Sequence, residues 1–268
     1  MNKKYKFSIL GLSLLFFIGF SSCGMAMPWP GEGGSPPPPP PPPPPEKIAV
    51  FIWDSGLGSS SKINSYANKL IVFKGYTKIY KIEDLKNLDT GETYDKILEF
   101  FEELDEYEGS QDTIFFYLWG HGPYSATDNP YVTIANTGTL HDDFYSTTLK
   151  LYLGALEAQR IGFLVESCKS GGFVTRMEDR SYLAMSSSRW DRDSYAWPKW
   201  DPEGRFSYWF WYALPYFVNA YGAWDYARDQ NFWDPVWYWG LKALAGYHFQ
   251  YPQYDNNLYE QTGYMFFA

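Results

Sequence analysis

The chain has 268 residues, 45% of them hydrophobic and 21% aromatic, and a formal net charge of -9. That acidic balance excludes nucleic acid as a partner and a purely electrostatic hold on anionic lipid. Two cysteines cannot build a disulfide framework, and none of the three histidines has the spacing of a metal site, so no cofactor is expected.

Lys3, Lys4 and Lys6 precede an apolar run from Phe7 to Phe20 and then the small residues of "SSCGMA", the pattern of a secretory signal over residues 1–22. The run falls short of the ~20 residues that span a bilayer, so cleavage is expected. Small residues directly before Cys23 resemble a lipoprotein box, which implies that Cys23 becomes the lipidated first residue of the mature chain. Phe20 departs from the leucine usual there, and cleavage after Ala26 would instead release a soluble exported protein. Residues 23–46 read as a linker, unbroken proline from Pro36 to Pro45, which favours polyproline II and makes a semi-rigid stalk. The expected location is therefore the outer face of a cell membrane, held by lipid, or the medium.

Residues 47–268 carry no second low-complexity break and are read as one domain. "KIAVFIW" (47–53) is a buried strand closing on the loop "DSGLGSSS", and Ile63, Tyr66, Ala67, Leu70 and Ile71 mark a helix that ends at Gly75. "TKIYKI" is a second strand, and "ETYDKILEFFEELDEYEG" is a helix with one apolar and one acidic face. "DTIFFYLWGHG" is a third strand, delivering Gly120, His121 and Gly122 at its end. A helix is predicted from Asp142 to Leu156, and "RIGFLVES" is a fourth strand that delivers Cys168. Continuous apolar strands alternating with amphipathic helices mean an α/β fold with a mostly parallel sheet. In such sheets functional groups gather at the carboxyl ends of the strands, where His121 and Cys168 both fall.

A cysteine attacks as thiolate and needs an imidazole, a cation or amide dipoles to favour that form. His121 can supply the imidazole, and Gly171 and Gly172 open a helix whose free N–H groups could point at the thiol. Without His121, Cys168 would read as a small buried hydrophobe. His141 and His248 lie in loop-like or aromatic contexts and are read as structural.

"FFYLWGHG" followed by "FLVESCKSGG" resembles the two motifs of the caspase-fold (clan CD) cysteine peptidases, and Glu166 to Gly171 is most similar to the legumain-like branch. "SYLAMSSSRWDRDSYA", "EGRFSYWFWYAL" and "YPQYDNN" are similar to later segments of that branch. The resemblance implies a three-layer α/β/α sandwich and an endopeptidase that forms a thioester acyl-enzyme on a protein or peptide substrate without a metal. It implies Cys168 as nucleophile, His121 as general base and acid, and the amides of Gly122 and Cys168 as the oxyanion hole. Since this fold sets cysteine and histidine on opposite sides of the substrate, no tight contact between Cys168 and His121 is expected in the free enzyme.

Glu166, Asp193, Ser194 and Arg205 fall where the family lines the pocket for the side chain before the cut. An acid pair of Glu166 with Asp193 would favour lysine or arginine, an inward Arg205 would favour aspartate or asparagine, and an Asp193–Arg205 pair would leave a small polar pocket. Nine of the twelve tryptophans lie from Trp190 onward, where they can fill the core, wall a cleft or stack on sugars. Two other readings therefore stand beside the peptidase: an inactive scaffold on the same fold, and an aromatic-rich carbohydrate or adhesion module at the cell surface.

Overall fold

In a computed structural model of the protein, the apolar runs of the sequence form strands of one sheet. The structure describes residues 41, 44–54, 56–57, 59–82, 92–136, 141–177, 182–195, 204–239 and 251–256. Cys23, most of the proline run and His248 lie outside the described residues. The chain divides into the units Met1–Pro44 and Pro45–Ala268, and the elements below belong to the second.

In chain order these are β1 (Lys47–Trp53), α1 (Ser60–Lys74), β2 (Lys78–Ile82), α2 (Glu92–Tyr107), β3 (Thr113–Trp119), β4 (Tyr131–Asn136) and β5 (His141–Tyr145). Then follow α3 (Ser146–Leu153), β6 (Arg160–Glu166), α4 (Gly171–Arg176), β7 (Tyr182–Ser186), α5 (Arg205–Ala213), α6 (Ala220–Trp239) and β8 (Tyr254–Asn256). Six strands form one sheet in the order β2-β1-β3-β6-β7-β8. All its neighbours are parallel except the β7–β8 pair.

Alternate residues of each central strand face opposite layers, as the two-residue period of a strand requires. Ala49, Phe51, Phe115, Tyr117 and Leu164 pack with residues of α1, α5 and α6, whereas Ile48, Val50, Ile114, Phe116 and Phe163 pack with α2, α3 and α4. Both faces are thus covered, which explains why β1, β3 and β6 are apolar throughout rather than alternating. The result is a three-layer α/β/α sandwich. Gly75 ends α1 in the left-handed region at φ 69, its N–H reaching the Leu70 carbonyl.

One element differs from expectation. The helix predicted from Asp142 runs only over Ser146–Leu153, because His141–Tyr145 is β5, paired antiparallel with β4. Phe144 is buried in the α2/α3 layer, Asp143 Oδ1 accepts from Thr133 Oγ1 across the pair at 2.7 Å, and Tyr131 meets Tyr145 edge-on at 5.5 Å. Cross-strand pairs of this kind override the helical reading of a short segment.

Candidate active site

Strand register decides what meets at the carboxyl edge of the sheet. β3 and β6 are adjacent and parallel, with Trp119 opposite Glu166. His121 and Cys168 each follow two residues later, so they leave neighbouring strands at the same level.

The turn that carries His121 is pinned from both sides. Gly120 N–H donates to the Glu166 carbonyl at 3.2 Å, and Thr133 N–H on β4 donates to the His121 carbonyl at 2.7 Å. A β-carbon on Gly120 would sit 2.1 Å from the Thr133 carbonyl oxygen, so β4 closes down on a residue that has to be glycine. On Gly122 it would sit 2.0 Å from the Cys168 carbonyl oxygen and 2.9 Å from the Cys168 nitrogen. His121 itself is exposed.

Cys168 is half-buried, and its Sγ lies 3.6 Å from the Ser194 carbonyl oxygen. Burial pushes the thiol above its ordinary value; Asp193 adds to that rise, while the contact to Ser194 and the charge of Lys169 oppose it. The sequence had suggested amides at the start of α4 aimed at the sulfur. Instead Gly172 N–H turns back to the Lys169 carbonyl at 3.1 Å and Phe173 N–H to the Ser170 carbonyl at 3.0 Å. The glycines answer a packing need: a β-carbon on Gly171 would strike the Gln253 side chain, and one on Gly172 would strike Pro130. Among the described residues, no group of three His, Cys, Asp or Glu could hold a metal ion.

Glu166 is 2% exposed. Its Oε2 accepts from Ser207 N–H at 2.9 Å and Ser207 Oγ at 2.7 Å, and its Oε1 accepts from Ser194 Oγ. Ser207 Oγ in turn accepts from the buried Tyr117 hydroxyl at 2.9 Å. Burial raises the Glu166 carboxyl above its ordinary value, against the lowering effect of these serines and of Ser187. Gly204 faces the same carboxyl, where a β-carbon would come within 2.3 Å of the Glu166 carboxyl carbon.

The other expected pocket residues take different partners. Asp193 forms an ion pair with Lys169, whose side chain is 9% exposed and whose backbone is left-handed at φ 56. Arg205 donates from Nε to Asn231 Oδ1 at 2.8 Å and lies over the Tyr195 ring at 5.7 Å. Among the described residues, then, Asp193 is held by Lys169, Arg205 reaches Asn231, and Glu166 is held by Ser194 and Ser207. Sequence reasoning passed over Ser207 and Lys169. Ser207 stands in the quoted "EGRFSYW" segment and could have been found there, whereas nothing in the sequence marks Lys169 as left-handed or paired.

A model of the Peptidase C13 family matches residues 46–221. No curated protein matches the chain. Among solved structures, the crystal structure of caspase-1 from Spodoptera frugiperda is similar at 14% identity and a TM-score of 0.48, covering 79% of this chain and 87% of that one.

Proposed function

This chain belongs to the Peptidase C13 family of cysteine peptidases, and from that premise we propose an endopeptidase that cuts proteins or peptides through Cys168 and His121. The observation that carries the reading is the common level of His121 and Cys168 on adjacent strand ends, with Gly122 against the Cys168 peptide.

Burial raises the thiol, which favours its protonated form in the free enzyme. As Cys168 Sγ forms its bond to the scissile carbonyl carbon, the thiol proton passes to the His121 imidazole. The carbonyl π electrons move onto oxygen, which the N–H groups of Gly122 and Cys168 stabilise. Collapse of this oxyanion breaks the C–N bond, and the amine leaves with the proton from His121. Water then gives a proton to His121 and attacks the thioester, the C–S bond breaks, and the sulfur regains a proton as the new carboxyl product departs.

The same proposal covers the rest of the chain. Residues 1–22 direct export, Cys23 is the lipid anchor, and the proline run is a stalk that holds domain 47–268 clear of the membrane outside the cytoplasm. Nucleic acid is not a partner of this acidic protein.

Profiling on a peptide library tests the reading. Cleavage by the purified protein should fall by at least about 1,000-fold in Cys168→Ala and in His121→Ala, and an electrophilic peptide ketone should label wild type but not Cys168→Ala. Cleavage that persists at near wild-type rate in either variant defeats the proposal. Labelling with a fatty acid that disappears in Cys23→Ala tests the anchor separately.

A further inference from the structure

The β4–β5 pair carries two aromatic rings next to the proposed base. His121 opposes Thr133 in an isolated antiparallel bridge, and Thr133 opposes Asp143, with Thr133 Oγ1 donating to Asp143 Oδ1 at 2.7 Å. Opposed residues of antiparallel strands point to one face, so His121, Thr133 and Asp143 form a row there. The next row on that face, two residues along each strand, is Tyr131 opposite Tyr145, their rings edge-on at 5.5 Å. Between the rows, Val132 and Phe144 point the other way, into the α2/α3 layer.

This aromatic row is held at the cleft and left open to water. Pro130, directly before Tyr131, meets the start of α4, where a β-carbon on Gly172 would come 2.7 Å from its ring. Burial raises the Tyr131 phenol, and the charges of Asp143, Tyr145 and Tyr124 act in the same direction, so all three groups stand close to it. Tyr145 is nevertheless 38% exposed, and Tyr124, three residues after His121, is fully exposed. Neither Tyr131 nor Tyr145 belongs to the core on either side of the main sheet.

We propose that Tyr131, with Tyr145 and Tyr124, forms a subsite for an aromatic side chain of the substrate on the leaving-group side of the scissile bond. The inference rests on the peptidase reading, in which His121 gives its proton to the departing amine, so the residues after the cut pass His121. A diagonal neighbour across antiparallel strands lies about 7–8 Å away, within reach of the first two residues after the cut at ~3.3 Å of extended chain each. The rings set the class: an incoming aromatic side chain extends the edge-on pair, whereas a small one leaves it uncovered. The pocket built on Glu166 is separate, because Ser194 and Ser207 line it and neither lies on this hairpin.

The test uses the full chain and internally quenched peptides that differ only by Phe or Ala at the first or the second position after the cut. Wild type should show kcat/KM roughly 5-fold higher for phenylalanine at one of them, the scale of one aromatic contact. Tyr131→Thr, which keeps a strand-forming residue, should bring that ratio close to unity, and Tyr131→Phe should retain it. Both peptides meet the same preparation, so a loss of folded protein cancels from the ratio. A preference that is absent from wild type, survives Tyr131→Thr or is lost in Tyr131→Phe overturns the proposal. Binding of the same peptides to Cys168→Ala and to Cys168→Ala/Tyr131→Thr separates the two readings. Phenylalanine-dependent binding lost with Tyr131, without turnover by wild type, sustains the subsite and rejects the peptidase; no phenylalanine preference in either measurement rejects the subsite, whatever the turnover.

Discussion

Gly122 approaches the Cys168 peptide so closely that a β-carbon on it would overlap the Cys168 carbonyl oxygen at 2.0 Å. No small rotation relieves this contact, since the atom it meets is backbone. Gly122→Ala must move the His121 turn away from the Cys168 strand end, which displaces both proposed oxyanion donors. Turnover should fall by about 100- to 1,000-fold, the range for losing one such donor, and thermal unfolding should also show a lower midpoint. Turnover within three-fold of wild type would show that the two backbones part without consequence for chemistry.

The environment of Cys168 makes a statement about pH. Burial and Asp193 raise the thiol while Lys169 lowers it, so less thiolate is present at neutral pH than in an ordinary cysteine. The rate of iodoacetamide labelling of the free enzyme should rise through a pH above the usual thiol range. Asp193→Asn should shift that profile to lower pH, and Lys169→Met should shift it to higher pH. Equal profiles for all three proteins would remove the ion pair from any influence on the sulfur.

β1, β3 and β6 were legible because strands buried on both faces leave a continuous apolar signature, as in "KIAVFIW" and "TIFFYLW". The β4–β5 hairpin was not, because "HDDFY" is short and half polar and is held by Thr133, Tyr131 and the layer around Phe144 rather than by its own pattern. His121 and Cys168 could be placed at strand ends, but only register puts them level with each other. Glu166 and Ser194 were placed together from the sequence, whereas Ser207 joins them from α5 across a separation that only the fold closes. The Lys169–Asp193 pair was unreadable for a related reason: the acid arrives on the loop after β7, and nothing in the sequence marks Lys169 as left-handed.

Glu166 should leave its own mark on stability. Its folded carboxyl is raised by burial, so between its ordinary and its raised value the folded state binds more protons than the unfolded state. Its contribution to stability is therefore full below the ordinary carboxylate value and declines as pH rises through the raised one, the reverse of a salt-bridged acid. Glu166→Gln removes this dependence, and the wild-type midpoint minus that of Glu166→Gln should fall with rising pH across that window. Parallel midpoint curves for the two proteins would contradict a raised Glu166.

Gly204 offers a steric check on the same group. A β-carbon there would come within 2.6 Å of Glu166 Oε2, the oxygen that Ser207 N–H and Oγ both hold. Gly204→Ala should push the carboxylate from at least one of these donors and cost about 1–3 kcal/mol, the penalty for an unsatisfied buried polar group. Chemical denaturation reads this directly, and an unchanged midpoint would mean that α5 shifts as a body to make room.

The aromatic C-terminal third can be divided by its packing. Trp211 is fully buried, stacked on Tyr66 at 4.7 Å and edge-on to Tyr117 at 5.5 Å, and it ties α5 and α1 to the sheet. Tyr216, just beyond α5, is 74% exposed. Trp211→Ala leaves a cavity among Tyr66, Phe51 and Phe115 and should destabilise the fold by about 3–5 kcal/mol. Tyr216→Ala should stay within about 0.5 kcal/mol of wild type. The same pair discriminates core from sugar platform. If the aromatics stacked on carbohydrate, exposed Tyr216 would carry the effect of added sugar on intrinsic fluorescence, whereas buried Trp211 can respond only to unfolding. A Trp211→Ala protein with a wild-type midpoint would mean that α5 is held to the sheet by something other than this ring.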